Sequence, residues 1–207
     1  DGEQDCAVGT NSISRLHNYY LCGLDWMIRE VGIDGMYLDG IGYDRRIMKR
    51  VRSVMQQSGK HCDIDIHSGN THSLRYGHFS PANLYLEHYA YADSLWLGEG
   101  YQYEEVSPEY FLIESSGIPF GLMGEMLQGG GNPWRGMVYG MTARMGWLQG
   151  GVSYQIWKIW DEFGISDAKM LGWWNPECPV SVENDLVRAT AYVKDNGDVL
   201  IAAASWY

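Results

Sequence analysis

The chain has 207 residues, and its 15 basic and 26 acidic side chains give a net charge of −11. An acidic protein repels phosphate backbones, which argues against a nucleic-acid partner, and no run of about 18 apolar residues marks a membrane span. Hydrophobic residues make up 45% of the chain, which indicates a folded core rather than a disordered segment.

The hydrophobic periodicity predicts helices and strands that alternate along the chain. Residues 12–31 have the spacing of an amphipathic helix, with Ser12 or Ser14 as its N-terminal cap and Gly32 at its end. A short apolar run at 33–38 is typical of a buried strand. The remaining predicted elements are a helix at 44–58, strands at 62–66, 93–98 and 118–123, helices at 136–148 and 153–163, and strands at 187–194 and 198–206.

Polar residues follow the first four predicted strands at a regular spacing. Asp39, Glu99 and Glu125 each follow one strand, and Asp65 and His67 lie at the end of another. Their intervals of about 30 residues suit one strand, one helix and two loops, which predicts a parallel sheet with helical crossovers. An open doubly wound sheet would give a similar interval, but no glycine-rich phosphate loop follows any strand. A (β/α)₈ barrel, with functional groups at the carboxyl ends of its strands, is the prediction that remains.

The last two predicted strands differ from the first four. They are joined by Asn196-Gly197, which is the strongest short signal for an antiparallel hairpin. We therefore predict an α/β chain in which residues 1–175 form the C-terminal portion of a (β/α)₈ barrel and residues 176–207 begin a β-sandwich-like domain. Four strands make half a barrel, so we expect a fragment whose barrel is closed by the missing remainder of the same polypeptide or by another chain.

Two carboxylates at neighbouring strand ends are the minimal set of catalytic groups for cleaving a glycosidic bond. One protonates the leaving oxygen, and the other attacks the anomeric carbon, stabilises its charge or activates water. Asp39 follows a rigid buried strand, and Glu99 lies between two glycines that leave room for a ligand. Acids at strand ends also cap helices or pair with arginines, which is the structural alternative to a catalytic role.

Aromatic and polar residues around these acids are the candidates for binding a sugar, whose C–H faces stack on rings. Tryptophan and tyrosine, 9 and 15 in number against 4 phenylalanines, suit such wet stacking surfaces. The predicted substrate-binding residues are Tyr37, Tyr43, Arg45, Asp65, His67, Trp96, Tyr101 and Glu125.

A metal site is the main alternative use of the second strand. Asp63, Asp65 and His67 share one strand face by the period of two. We expect His67 to bind substrate rather than metal, and we predict no metal and no cofactor. An ordered metal on Asp65 and His67 would instead indicate a metal-dependent barrel enzyme, such as a lyase or an isomerase.

Several motifs resemble known glycoside hydrolases. The run GIDGMYLDGIGYDRR at 32–46 resembles the strand-four segment of α-galactosidase and endo-α-N-acetylgalactosaminidase barrels. The runs IPFGLMGEMLQ, IWKIWDEFGI and MLGWWNPECPV, with the hairpin after them, resemble an uncharacterised bacterial glycoside-hydrolase-like family with a barrel followed by a β-sandwich. The resemblance implies that Asp39 is the nucleophile or principal carboxylate and that Glu99 is the acid/base.

These observations predict a glycoside hydrolase, with a retaining mechanism, that acts on an oligo- or polysaccharide. The alternative from another class is a non-catalytic carbohydrate-binding protein on a degenerate barrel. A glycan substrate also leads us to expect a secreted, periplasmic or cell-surface protein of a bacterium.

Overall fold

A computed structural model describes residues 14–39, 45–67, 86–97, 107–116, 118, 123–126, 133–143 and 152–206. Their strands form a five-stranded parallel sheet in the order β1-β2-β3-β4-β5 and a three-stranded antiparallel sheet in the order β6-β7-β8. The strands are β1 Gly35–Asp39, β2 Asp63–His67, β3 Ser94–Leu97, β4 Met123–Met126, β5 Thr142–Ala143, β6 Ala168–Leu171, β7 Val187–Lys194 and β8 Val199–Ser205. The α-helices are α1 Arg15–Trp26, α2 Arg45–Gln57, α3 Leu86–Tyr89, α4 Pro108–Tyr110, α5 Pro133–Gly136 and α6 Val152–Phe163.

Helix α1 follows its sequence signals closely. The Ser14 side chain accepts a hydrogen bond from the His17 backbone N–H at 3.3 Å, which caps the first turn. The helix continues as a π-helical turn at Met27–Val31 and ends at Gly32, whose φ of 88° only glycine adopts at little cost. Among the described residues, no helix combines the length and apolarity needed to cross a bilayer.

One face of the parallel sheet is packed beneath helices. Strand β2 alternates, with Ile64 and Ile66 fully buried and the residues between them partly exposed. Helix α2 contributes an apolar stripe to the same core, in which Ile47 and Val51 are fully buried. The predicted first strand, second strand, third strand and second helix are therefore confirmed, with bounds that shift by one or two residues.

The other end of the sheet, where the strands begin, is held by a half-buried arginine. Arg52 of α2 donates to the carbonyl oxygens of Tyr91 and Cys62 at 2.8 and 2.9 Å, and it forms an ion pair with Asp93. The same Asp93 carboxylate accepts a hydrogen bond from the Ile64 backbone N–H at 2.7 Å. This network fixes the starts of β2 and β3, which leaves their carboxyl ends as the edge for function.

Two predicted elements are wrong in the part of the chain that the structure describes. The fourth strand, predicted at 118–123, lies at Met123–Met126, because Gly124 pairs with Leu95 inside the strand instead of ending it. The helix predicted at 136–148 is replaced by α5, a 3₁₀ turn at Met137–Tyr139 and strand β5. Gly140, with a φ of 74°, ends the helical segment and turns the chain into β5.

The antiparallel sheet contains the predicted hairpin, with Gly197 at a φ of 92° in its turn, and an additional strand, β6, that the sequence analysis did not assign. This sheet packs against the segment between α5 and β5. The buried Thr190 and Tyr192 hydroxyls of β7 donate to the carbonyl oxygens of Val138 and Met137, at 2.6 and 2.5 Å. The two sheets are thus joined by buried hydrogen bonds as well as by apolar contact.

Candidate active site

The register of the parallel sheet aligns the strand ends in one row. Asp39 lies opposite His67, His67 opposite Trp96, Trp96 opposite Glu125, and Glu125 opposite Thr142. This row spans all five strands at or next to their carboxyl ends, so the sheet gathers four of the predicted site positions at one edge. For Asp39, Trp96 and Glu125 the structure describes the backbone position but not the side chain.

A second row lies two residues earlier on the same face, because strand faces repeat with a period of two. Tyr37 lies opposite Asp65, and Asp65 lies opposite Ser94. We call Tyr37, Asp65, His67 and Ser94 the inner-face cluster, since they lie on the face opposite to Ile64 and Ile66. Asp65, His67 and Ser94 are half-buried, whereas Tyr37 is 41% exposed.

Two contacts organise the inner-face cluster. The Ser94 hydroxyl donates a hydrogen bond to Oδ1 of Asp65 at 2.7 Å. The rings of Tyr37 and His67 lie nearly parallel, at an interplanar angle of 22° with their centroids 6.3 Å apart. A carboxylate, a hydroxyl, an imidazole and an aromatic ring on one surface can accept and donate hydrogen bonds to hydroxyls while a ring face packs beside them.

The possible metal triad of β2 is not assembled in the structure. Asp63 lies at the start of the strand, and its carboxylate contacts Nε2 of His61 at 3.0 Å. Within the described ranges, no group of three or more histidine, cysteine, aspartate or glutamate side chains has the arrangement of a metal site. The hydrogen-bonding groups and ring face of the inner-face cluster suit the binding of a polar organic ligand.

The other predicted site residues have different positions. Arg45 is the exposed first residue of α2, in the connection that follows β1. Tyr43, Glu99 and Tyr101 lie outside the described residues. Ser94 is the cluster member that sequence reasoning missed; its signal was its position two residues before Trp96, which puts it on the same face of β3.

Comparison with protein families divides the chain in a way that follows the two sheets. The family model described as glycoside hydrolase 123, TIM-barrel domain, matches residues 1–146, which include β1 to β5. The model described as glycoside hydrolase 123, C-terminal domain, matches residues 152–207, which include β6 to β8. Searches of curated proteins and of solved structures each found no match.

Proposed function

The chain belongs to glycoside hydrolase family 123, and on that premise we propose that Asp39 and Glu99 are its pair of catalytic carboxylates. The resemblance to a glycoside-hydrolase family with a barrel and a further C-terminal domain is confirmed by both matches. The protein is therefore a glycoside hydrolase with a carbohydrate substrate. Which residues act, and by which mechanism, is the content of the proposal.

The row of strand ends is the observation that supports this pair. Asp39 ends β1, and Glu99 comes two residues after Leu97, the last residue of β3. One strand, β2, lies between β1 and β3, so at about 4.8 Å per strand the ends of β1 and β3 are about 10 Å apart. A retaining glycosidase needs its two carboxyl groups about 5–5.5 Å apart, and we propose that the Asp39 and Glu99 side chains converge from these strand ends to that separation.

In the proposed reaction, Asp39 attacks the anomeric carbon and Glu99 protonates the leaving glycosidic oxygen. The same Glu99 then takes a proton from water, which hydrolyses the glycosyl ester and restores both carboxyl groups. No cofactor is needed. Asp39 forms and releases the covalent bond to the sugar, and Glu99 makes both proton transfers. The residues proposed to bind the sugar are Tyr37, Tyr43, Arg45, Asp65, His67, Trp96, Tyr101 and Glu125.

We also propose that further βα units, from a longer polypeptide or another chain, close the barrel beside β1. Among the described residues, β1 pairs with β2 alone, whereas a closed TIM barrel has eight strands. An apolar groove of about 500 Å³ lies between α1 and this open edge. Its lining includes Leu16, Tyr19 and Met27, which are 51%, 80% and 43% exposed. A parallel strand against β1 would lie beneath α1 and cover these side chains.

The catalytic pair is tested by two isosteric substitutions, Asp39→Asn and Glu99→Gln. Because each removes a group that exchanges a bond or a proton in the transition state, we expect kcat to fall by about a hundred- to ten-thousandfold on an aryl glycoside. The fold-change in kcat is measured from initial rates on a panel of aryl glycosides.

The exposed Asp34 and Glu183 supply matched controls, since Asp34→Asn and Glu183→Gln make the same chemical changes away from the carboxyl ends of the parallel strands. Both controls should keep the full rate, and all four variants should keep the circular dichroism spectrum of the unchanged protein. Full activity in either Asp39→Asn or Glu99→Gln would remove that residue from the pair.

A further inference from the structure

We propose that Ser94 is a positioning residue that holds the Asp65 carboxylate in place to bind a hydroxyl of the sugar. This inference rests on the glycosidase site proposed above, because it concerns how the inner-face cluster holds the substrate. It adds a residue to the site, and it gives that residue a role distinct from the carboxylates that react.

The geometry of the two strands carries the inference. Ser94 is the first residue of β3, and its Cα lies opposite that of Asp65 in the parallel register. Paired positions in a parallel sheet present their side chains on the same face, so a short serine beside a short aspartate can form a direct hydrogen bond. The observed bond, from the Ser94 hydroxyl to Oδ1 of Asp65, is 2.7 Å long.

A structural role in strand pairing does not account for this bond. The starts of β2 and β3 are already joined by the Asp93 N–H, which donates to the Ile64 carbonyl oxygen at 2.8 Å, and by the Ile64 N–H, which donates to the Asp93 carboxylate at 2.7 Å. The backbone ladder continues from Asp65 to His67. The Ser94 hydroxyl is therefore an addition to a pairing that other groups already secure.

Fixing the carboxylate has a direct use in sugar recognition. An aspartate on a strand has two rotatable side-chain bonds, and a hydrogen bond to its charged oxygen restricts both before substrate arrives. The stacked rings of Tyr37 and His67 lie beside it and fix one wall of the same surface. A sugar hydroxyl would then meet an acceptor of set direction, so less binding free energy is lost in ordering the site.

The test compares Ser94→Ala, which removes the hydroxyl, with Ser94→Thr, which keeps it. On the aryl glycoside that the unchanged enzyme cleaves best, we expect Ser94→Ala to raise KM about tenfold, with kcat changed far less. The threonine variant should restore KM to within about threefold of the unchanged value. Ser53→Ala is the matched control, since it removes an exposed hydroxyl of α2 that bonds to the Lys49 carbonyl oxygen.

The outcomes separate this proposal from the function it rests on. An unchanged KM in Ser94→Ala, or a lowered Tm with an unchanged KM, would overturn the positioning role while leaving the glycosidase assignment intact. If no aryl glycoside is cleaved even by the unchanged protein, the proposed function fails instead. In that case a crystal structure of Ser94→Ala tests whether Ser94 positions Asp65. A rotated Asp65 carboxylate would support the positioning role, and a carboxylate that keeps its orientation would contradict it.

Discussion

At the scale of the residue, the proposed site is made of polar side chains at or near the ends of the strands. Asp65 and His67 lie on the inner face of β2 because Ile64 and Ile66 occupy the alternate, buried positions. The sequence predicted this alternation, since it follows from the period of a strand alone. It did not predict the bond between Ser94 and Asp65, which depends on the register between two strands and joins residues 29 positions apart in the chain.

Gly140 lies at the contact between the two sheets. Gly140 has a φ of 74°, and a Cβ there would lie 2.7 Å from the Met170 sulfur of β6. We expect Gly140→Ala to lower the free energy of unfolding by about 1–2 kcal/mol from backbone strain, with a smaller further loss because the flexible Met170 side chain must move aside. Urea unfolding, followed by tryptophan fluorescence, measures the loss.

Gly59 provides the control for Gly140, because it has the same φ of 74° and nothing within 4 Å of its built Cβ. Gly59→Ala should therefore show the backbone strain without the crowding. Equal losses in the two variants would mean that Met170 moves aside at no cost, and that the contact between β6 and the 137–140 segment is not tightly packed.

At the scale of the element, the α4 helix and strand β7 are tied by one ion pair. Arg188 donates to Oε1 of Glu109 from Nε at 3.1 Å and from a terminal nitrogen at 2.5 Å. Burial raises the pKa of Glu109, but hydrogen bonds from Arg188 and from its own backbone N–H, with the attraction of the Arg188 charge, outweigh it and lower the pKa overall. The ion pair between Arg188 and Glu109 therefore stabilises the folded state when Glu109 is ionised.

This pair predicts a stability difference that depends on pH. A carboxyl with a lowered pKa in the folded state stabilises the fold above its ordinary pKa of about 4.3, and this contribution is lost as the pH falls through the folded value. At pH 7 Glu109→Gln should cost about 0.5–1 kcal/mol, since the side chain is 46% exposed and its charge is screened. Urea unfolding of both proteins between pH 3 and pH 7 gives the comparison.

Glu183→Gln serves as the control for that titration, because Glu183 is exposed in the connection before β7. Its stability should match that of the unchanged protein at every pH. A difference for Glu109→Gln that persists at pH 3 would show that the loss comes from packing and not from the charge.

Elements were predictable to the extent that local signals determine them. Helix α1 and the β7–β8 hairpin carry a serine cap, a terminal glycine and an Asn-Gly turn, and all three occur as predicted. The segment 136–148, of which the structure describes residues 136–143, was predicted as helix because its apolar residues have helical spacing. Tertiary bonds from Thr190 and Tyr192 hold it instead as two short turns and a strand, and no local pattern encodes those partners.

At the scale of the whole molecule, a parallel sheet with helices on one face presents a row of polar positions at the carboxyl ends of its strands. The row from Asp39 to Glu125 and the inner-face cluster lie at or near that edge, which is why we propose it as the site of the glycoside hydrolase. The interval of about 30 residues predicted this arrangement from the sequence, because each βα unit returns the chain to the same edge. The sequence intervals alone do not set the separation of the two acids, since it also depends on the curvature of the barrel that we propose.

The central claim is that Asp39 and Glu99 act together on one glycosidic bond, and their separation tests it most directly. In a crystal structure of the protein, we expect the carboxyl oxygens of Asp39 and Glu99 to lie about 5–5.5 Å apart, as a retaining pair requires. A separation well beyond about 10 Å, or a carboxylate of either residue tied up by Arg45 or Arg75, would contradict the account.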